Sequence, residues 1–249
     1  MAKTKWKKII VAGPLVKECI YPAINGREEQ RVRDAKRKLS SEAQRRMNQK
    51  YSYQKLELML AANFVQGDLV CSLTYDDAHL PRDRKEAMSK LKYFRAKLAA
   101  ARNVDGEQLI MFWNVEHKHG EGRWHHHVIL NATGKDYELI RELWGQGEVE
   151  IKPLRVDKEK NYESLARYMC KEQGDKVGAR SWSYTRNAKK PEVETFRVEA
   201  DTPLQIPKGA IALEESSEKT NYGKYQFIKY LGGDVPQRVL AKRRKNPRK

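Results

Sequence analysis

The sequence predicts an α+β fold: an antiparallel sheet with helices on one face, preceded by a basic N-terminal helical extension. Three observations carry this. Between residues 68 and 174 the apolar pattern changes period in the order strand, helix, strand, strand, helix, strand, helix. The strand–helix–strand–strand–helix–strand portion is the ferredoxin-like, or RRM-like, arrangement. Third, 50 Lys and Arg oppose 33 Asp and Glu in 249 residues, a formal net charge of +17, and basic runs flank the core. The expected division is a helical extension over 1–66, a core over 67–190, an extension of unassigned structure over 191–237 and a basic tail over 238–249.

Residues 1–26 hold Gly13, Pro14, Pro22 and Gly26 and read as irregular. The apolar run near the N-terminus is interrupted by Pro14, Lys17 and Glu18, which argues against a signal peptide. No Pro or Gly occurs between Glu28 and Gly67, and residues 28–64 read as helix. Within it, residues 31–55 carry Arg31, Arg33, Lys36, Arg37, Lys38, Arg45, Arg46, Lys50 and Lys55 against Asp34 and Glu42. Such a run is either a solvated face or a DNA-backbone contact. Leu56, Leu58, Met59, Leu60 and Phe64 then form a docking end.

Residues 68–75 alternate Leu69, Cys71, Leu73 and Tyr75 against Val70, Ser72 and Thr74, a strand. Asp76, Asp77 and Pro81 end it, and Pro81 can open the next helix. That helix carries Met88, Leu91, Phe94 and Leu98 on one side. A hairpin follows over 107–131. Asp136 can cap a short helix with Tyr137, Ile140 and Leu143 facing inward, ended by Gly145. Residues 148–156 read as a strand that Pro153 confines to an edge or a bulge. Residues 160–173 read as a helix stopped by Gly174. Farther on, RSWSYTRN and TFRVEA look strand-like, whereas 223–231 fits either period.

The hairpin gathers the chemistry. Successive strand side chains point to opposite faces. Glu116 on the first strand, with His125 and His127 on the second, therefore share one face, while His126, Val128 and Leu130 share the other. Two imidazoles and a carboxylate make a divalent-metal site with positions left for substrate. Structural histidines are the competing reading; His117 and His119, in the loop, are the weaker ligand candidates. On the wheel of the 160–173 helix, Leu165, Met169, Ala166 and Cys170 form the buried stripe, together with Tyr162. Tyr168 and Lys171 fall outside that stripe, side by side. A tyrosine hydroxyl near a metal and a lysine can attack a phosphodiester. An ordinary surface tyrosine is the alternative.

The charge favours a polyanionic partner bound through its phosphates. The tail RVLAKRRKNPRK, with Lys242, Arg243, Arg244 and Lys245, has seven basic residues and no acid. It reads as disordered until it meets a phosphate backbone. No apolar run is long enough to span a bilayer. Cys19, Cys71 and Cys170 form no CxxC pair and fit a reducing cytoplasm.

CSLTYDDAHLP at 71–81, WHHHVIL at 124–130 and YMCK at 168–171, with WGQGEVEI between the last two, resemble the motifs of the HUH endonucleases. Among these the chain is most similar to the single-tyrosine rolling-circle replication initiators of bacterial plasmids and phages. The resemblance spans residues 68–190 and departs at His126, where the family has an aliphatic residue. It implies a Mn2+ or Mg2+ ion on Glu116, His125 and His127, Tyr168 as nucleophile, and Lys171 orienting the phosphate or ion. It further implies single-stranded or supercoiled origin DNA as partner, a 5′-phosphotyrosine intermediate and a free 3′-OH, in the bacterial cytoplasm. No G-x-x-x-x-G-K-[ST] occurs, so strand separation would fall to a host helicase or to supercoiling, with a host polymerase extending the primer. A transposase or relaxase of the same fold, a DNA-binding regulator with a relict site, and a structural metal protein remain as alternatives.

Overall fold

The structure, a computed structural model, describes residues 4–24, 30, 41–117, 123–157, 161–171 and 181–232. It is a mixed α+β protein with two antiparallel five-stranded sheets and, among the described residues, four helices. The chain forms two compact units, one of residues 51–189 and one of residues 1–50 with 190–249.

The 51–189 unit runs β3 (Leu69–Leu73), α2 (Arg84–Val104), β4 (Met111–Glu116), β5 (His125–Leu130), α3 (Asp136–Trp144), β6 (Val149–Pro153), α4 (Glu163–Met169) and β7 (Ser183–Tyr184). It also holds the second half of α1 (Ser41–Asn63). The strand order is β6-β3-β5-β4-β7, with every pair antiparallel. The first four strands have the ferredoxin-like order expected, and β7 adds a fifth beside β4. Pro153 closes edge strand β6, where its missing N–H costs no ladder bond.

Leu69, Cys71, Leu73, Met111, Trp113, Val128 and Leu130 face α2 and α3 and pack with Leu91, Phe94, Leu98, Ile140 and Trp144. This is the apolar face that alternation assigns. Three local details differ from expectation. Asp83, not Pro81, starts α2: its side chain accepts from Glu86 N at 2.7 Å, while Glu86 Oε2 accepts from Arg82 N at 3.0 Å. Asp136 does not cap α3; it is buried in an ion pair with Arg102, 2.6 Å from its guanidinium. Tyr137 is exposed and Trp144 takes the buried place, because α3 turns its Ile140–Trp144 line to the sheet.

The other face is not bare. Phe112 and Ile129 point there and are buried, Phe112 with its ring edge-on to Phe64, just past the end of α1, and stacked on Trp182. Asn114 on the same face donates to Met169 O of α4. Apolar side chains on this half of the face need a cover, so α1, α4 and Trp182 supply one. The half nearer Glu116 carries the polar groups.

The second unit has the order β8-β1-β2-β10-β9. The stretch 1–26, expected to be irregular, is regular over 5–22: β1 (Lys5–Ala12) and β2 (Leu15–Pro22) form a hairpin in full register from Lys5↔Pro22 to Ala12↔Leu15. Gly13 takes φ +56°, and Pro14 follows with the negative φ its ring imposes. That is the glycine-first pattern of a two-residue type II′ hairpin turn, so a supposed breaker is the turn itself. β8 (Glu192–Val198) fulfils the strand reading of TFRVEA, and β10 (Gly223–Leu231) resolves the ambiguous segment as strand. β9 (Ile211–Thr220) was not foreseen. It is a polar, largely exposed edge strand without alternating hydrophobicity. Ile9, Val16, Ile20, Ile228 and Tyr230 centre this unit's core.

Candidate metal centre and tyrosine

β4 and β5 pair with Glu116 directly opposite His125 and Asn114 opposite His127. This register places the carboxylate and both imidazoles on one face. Glu116 Oε2 lies 3.0 Å from His125 Nε2 and 3.2 Å from His127 Nε2. Ligand atoms of the three residues all lie within 4.8 Å of one another, and the group can hold a metal ion. Cis ligands about 2.1 Å from an octahedral ion sit roughly 3 Å apart, so the spacing fits.

The far side of each ring is also held. His125 Nδ1 lies 3.2 Å from Arg123 O, and His127 Nδ1 lies 3.1 Å from Ser72 Oγ of β3. Such contacts fix ring orientation and leave Nε2 for a metal. Burial opposes ionisation of Glu116, but hydrogen bonds from His125 and His127, the charge of His127 and the Asn114 amide outweigh it. Its carboxyl is held well below the usual carboxylate range.

His126 points the other way. It is buried against Trp144, with Nε2 2.7 Å from Tyr75 Oη. Burial first, then the charge of His125, pushes its imidazole down to about 3, so it is neutral at physiological pH. The departure from an aliphatic residue is thus absorbed by Tyr75, and the two imidazoles on the site face are those of His125 and His127.

Tyr168 on α4 is 49% exposed, yet its Oη lies 3.1 Å from His127 Nε2. Tyr162 is buried and donates to Phe64 O, as the wheel requires. Tyr184 stacks on Phe112, its cross-strand partner. Phe112 is four residues along β4 from Glu116, roughly 13 Å at strand rise. Tyr184 is therefore remote from the triad. Lys171 follows α4, exposed, its backbone N–H donating to Tyr168 O.

The structure thus brings together Glu116, His125, His127 and Tyr168. Arg45 and Arg46 lie on α1 in the other unit, Arg46 paired with Glu42 at 2.5 Å. His117 stacks on Trp124 with ring centroids 4.1 Å apart. Arg31, Arg33, Lys36, Arg37, Lys38, His119, Lys242, Arg243, Arg244 and Lys245 lie outside the described residues.

Two residues escaped the sequence reading. Asn114 Nδ2 donates to Glu116 Oε1 at 3.0 Å and to Met169 O at 2.9 Å, and its Oδ1 accepts from His127 N at 3.2 Å. One amide thereby ties β4, β5 and the tyrosine helix. Ser72 is the other. Its signal was present, since it alternates away from Cys71 and Leu73 onto the site face. Gly147 backs the LTY strand: a Cβ there would meet Thr74 O at 2.6 Å and Asp76 N at 2.7 Å. Only glycine permits that approach.

Residues 68–173 match the model of a family of replication-associated proteins, the ORF2 type. The match supports a replication initiator. It covers the three motifs and every element from β3 to α4. No curated protein and no solved structure matches the chain. Among the described residues no helix is long and apolar enough to cross a membrane.

Proposed function

We propose that the protein nicks and rejoins single-stranded DNA at an origin and so initiates rolling-circle replication, as an HUH endonuclease. The observation that carries this reading is Tyr168 Oη at 3.1 Å from a histidine of the Glu116–His125–His127 group. A solvent-reachable hydroxyl beside three convergent metal donors is what transesterification requires.

A divalent ion, Mn2+ or Mg2+, held by the triad would polarise the scissile phosphate and offset its developing charge. Tyr168 Oη attacks phosphorus in line, the P–O3′ bond breaks, and a 5′-phosphotyrosine and a 3′-OH result. The tyrosine loses one proton and the departing 3′ oxygen gains one. One phosphodiester replaces another, so the 3′-OH can reverse the step without ATP. Asn114 holds α4 against the triad, and Lys171 is the cation for a non-bridging phosphate oxygen. The basic segments at 31–46 and 242–245 supply phosphate contacts that position DNA without reading its sequence. A host helicase opens the duplex and a host polymerase extends the 3′ end.

Full-length protein is incubated with single-stranded origin DNA and Mn2+ or Mg2+, then denatured. A covalent adduct mapping to Tyr168 is expected, and EDTA should prevent it. Cleavage without an adduct would instead identify a hydrolytic nuclease using activated water. Binding without cleavage would leave a regulator with a relict site.

A further inference from the structure

The second sheet segregates its charge. In β8, β1, β2 and β10 the acids are Glu18, Glu192 and Glu194. Register and alternation put all three on the face of the Ile9–Ile20–Ile228 core. The opposite face of those four strands has no acid; of its cations Lys8 and Arg197 have accessible surface, while Lys17 and Lys229 are buried. β9 adds Glu214, which pairs with Lys229 at 3.3 Å, and Glu218 at the sheet edge.

Aromatic rings are interleaved with these cations. Trp6, Tyr21, Tyr225 and Phe227 all lie on the same face, and each is only half-buried. Tyr230 on the core face, in contrast, has no exposed surface. Trp6 is directly opposite Tyr21 on one side and Arg197 on the other, with the guanidinium 5.2 Å from its ring centre. Trp6, Tyr21 and Thr195 line an open cleft with Pro22 and Ile24.

Partly exposed rings beside accessible cations are what a single strand needs: every base has a π-face to stack, and phosphates follow the positive charge. We propose that this face is a single-stranded DNA platform, with bases on Trp6 and Tyr21 and phosphates toward Lys8 and Arg197. It lies in the unit that does not contain the metal centre. The choice of DNA over RNA rests on the proposed function; the stacking does not.

The test uses full-length protein and a bromodeoxyuridine-substituted oligo-dT of about twelve nucleotides, within the span of one sheet platform. Irradiation and peptide mapping should place cross-links on Trp6 or Tyr21. Cross-links confined to residues 51–189 would overturn the inference. Trp6→Leu should weaken oligo-dT binding roughly tenfold, and Trp6→Phe should recover most of it. Should Trp6→Leu fail to fold, Arg197→Gln serves, and should flatten log K against log salt by about one phosphate contact. Unchanged binding in the folded variants would overturn the proposal and leave the face to a protein partner. Tighter binding of matched oligo-rU would overturn the choice of DNA. Oligo-dT offers no origin sequence, so cross-linking at Trp6 with no Tyr168 adduct on origin DNA would sink the nicking reading alone.

Discussion

Two buried glutamates, one in each sheet, have contrasting surroundings. Glu18 on β2 is 4% exposed and Glu116 on β4 is 8% exposed. Both lie on strands and both have more than one polar partner. Glu18 faces the Lys7 ammonium at 2.6 Å and the Tyr230 hydroxyl at 2.6 Å. Its charge is met by a fixed cation and its surroundings are core. Glu116 faces two imidazoles whose Nε2 atoms converge on one carboxylate oxygen, with an exposed tyrosine 3.1 Å beyond. Imidazole is itself a metal ligand, so an ion can replace these hydrogen bonds. Buried charge is therefore no mark of a site by itself. Convergence of exchangeable donors beside a solvent-reachable hydroxyl is what sets Glu116 apart.

The strongest challenge to this contrast is Tyr168→Phe. One oxygen is lost from a largely exposed ring, so fold and metal binding should persist while cleavage and adduct disappear. Adduct formation by that variant would place the nucleophile elsewhere. Tyr162→Phe is the matched control. It removes the bond to Phe64 O and should cost about 1 kcal/mol of stability, read by denaturant unfolding, with cleavage near normal.

Exchanging the glutamates' fates comes next. Glu116→Gln should abolish Mn2+ binding by calorimetry, and with it cleavage, at little cost in stability. Glu18→Gln leaves Lys7 without its counter-charge and should cost about 3 kcal/mol, with metal binding per folded molecule unchanged. If Glu18→Gln removed the metal and Glu116→Gln only the stability, the assignment of roles would be reversed. His127→Ala should likewise stop cleavage while leaving DNA binding nearly intact.

A smaller effect tests the link between triad and helix. Asn114→Ala removes contacts to Glu116, His127 and Met169 and should lower the single-turnover cleavage rate about 10- to 100-fold. A positioning role predicts that saturating Mn2+ does not restore the rate. Full rescue by metal would show that Asn114 serves ligand affinity alone.

Much of this was open to reading from the chain alone. Alternation is local, so it assigned Glu116, His125 and His127 to one face and His126 to the other without knowledge of a partner strand. Helical periodicity likewise set Tyr162 inside and Tyr168 outside. The order of periods specified the sheet from β3 to β6. What tertiary structure decided involves groups distant in sequence. The second sheet pairs β2 with β10 and β1 with β8, strands about two hundred residues apart, and its polar edge β9 has no pattern of its own. Asn114 and Ser72 are unremarkable strand residues until β3, β5 and α4 surround them. The reach of Tyr168 to His127 spans 41 residues and depends on how α4 packs over the sheet. Periodicity tells a side chain which way to point; only packing brings it within bonding distance of another.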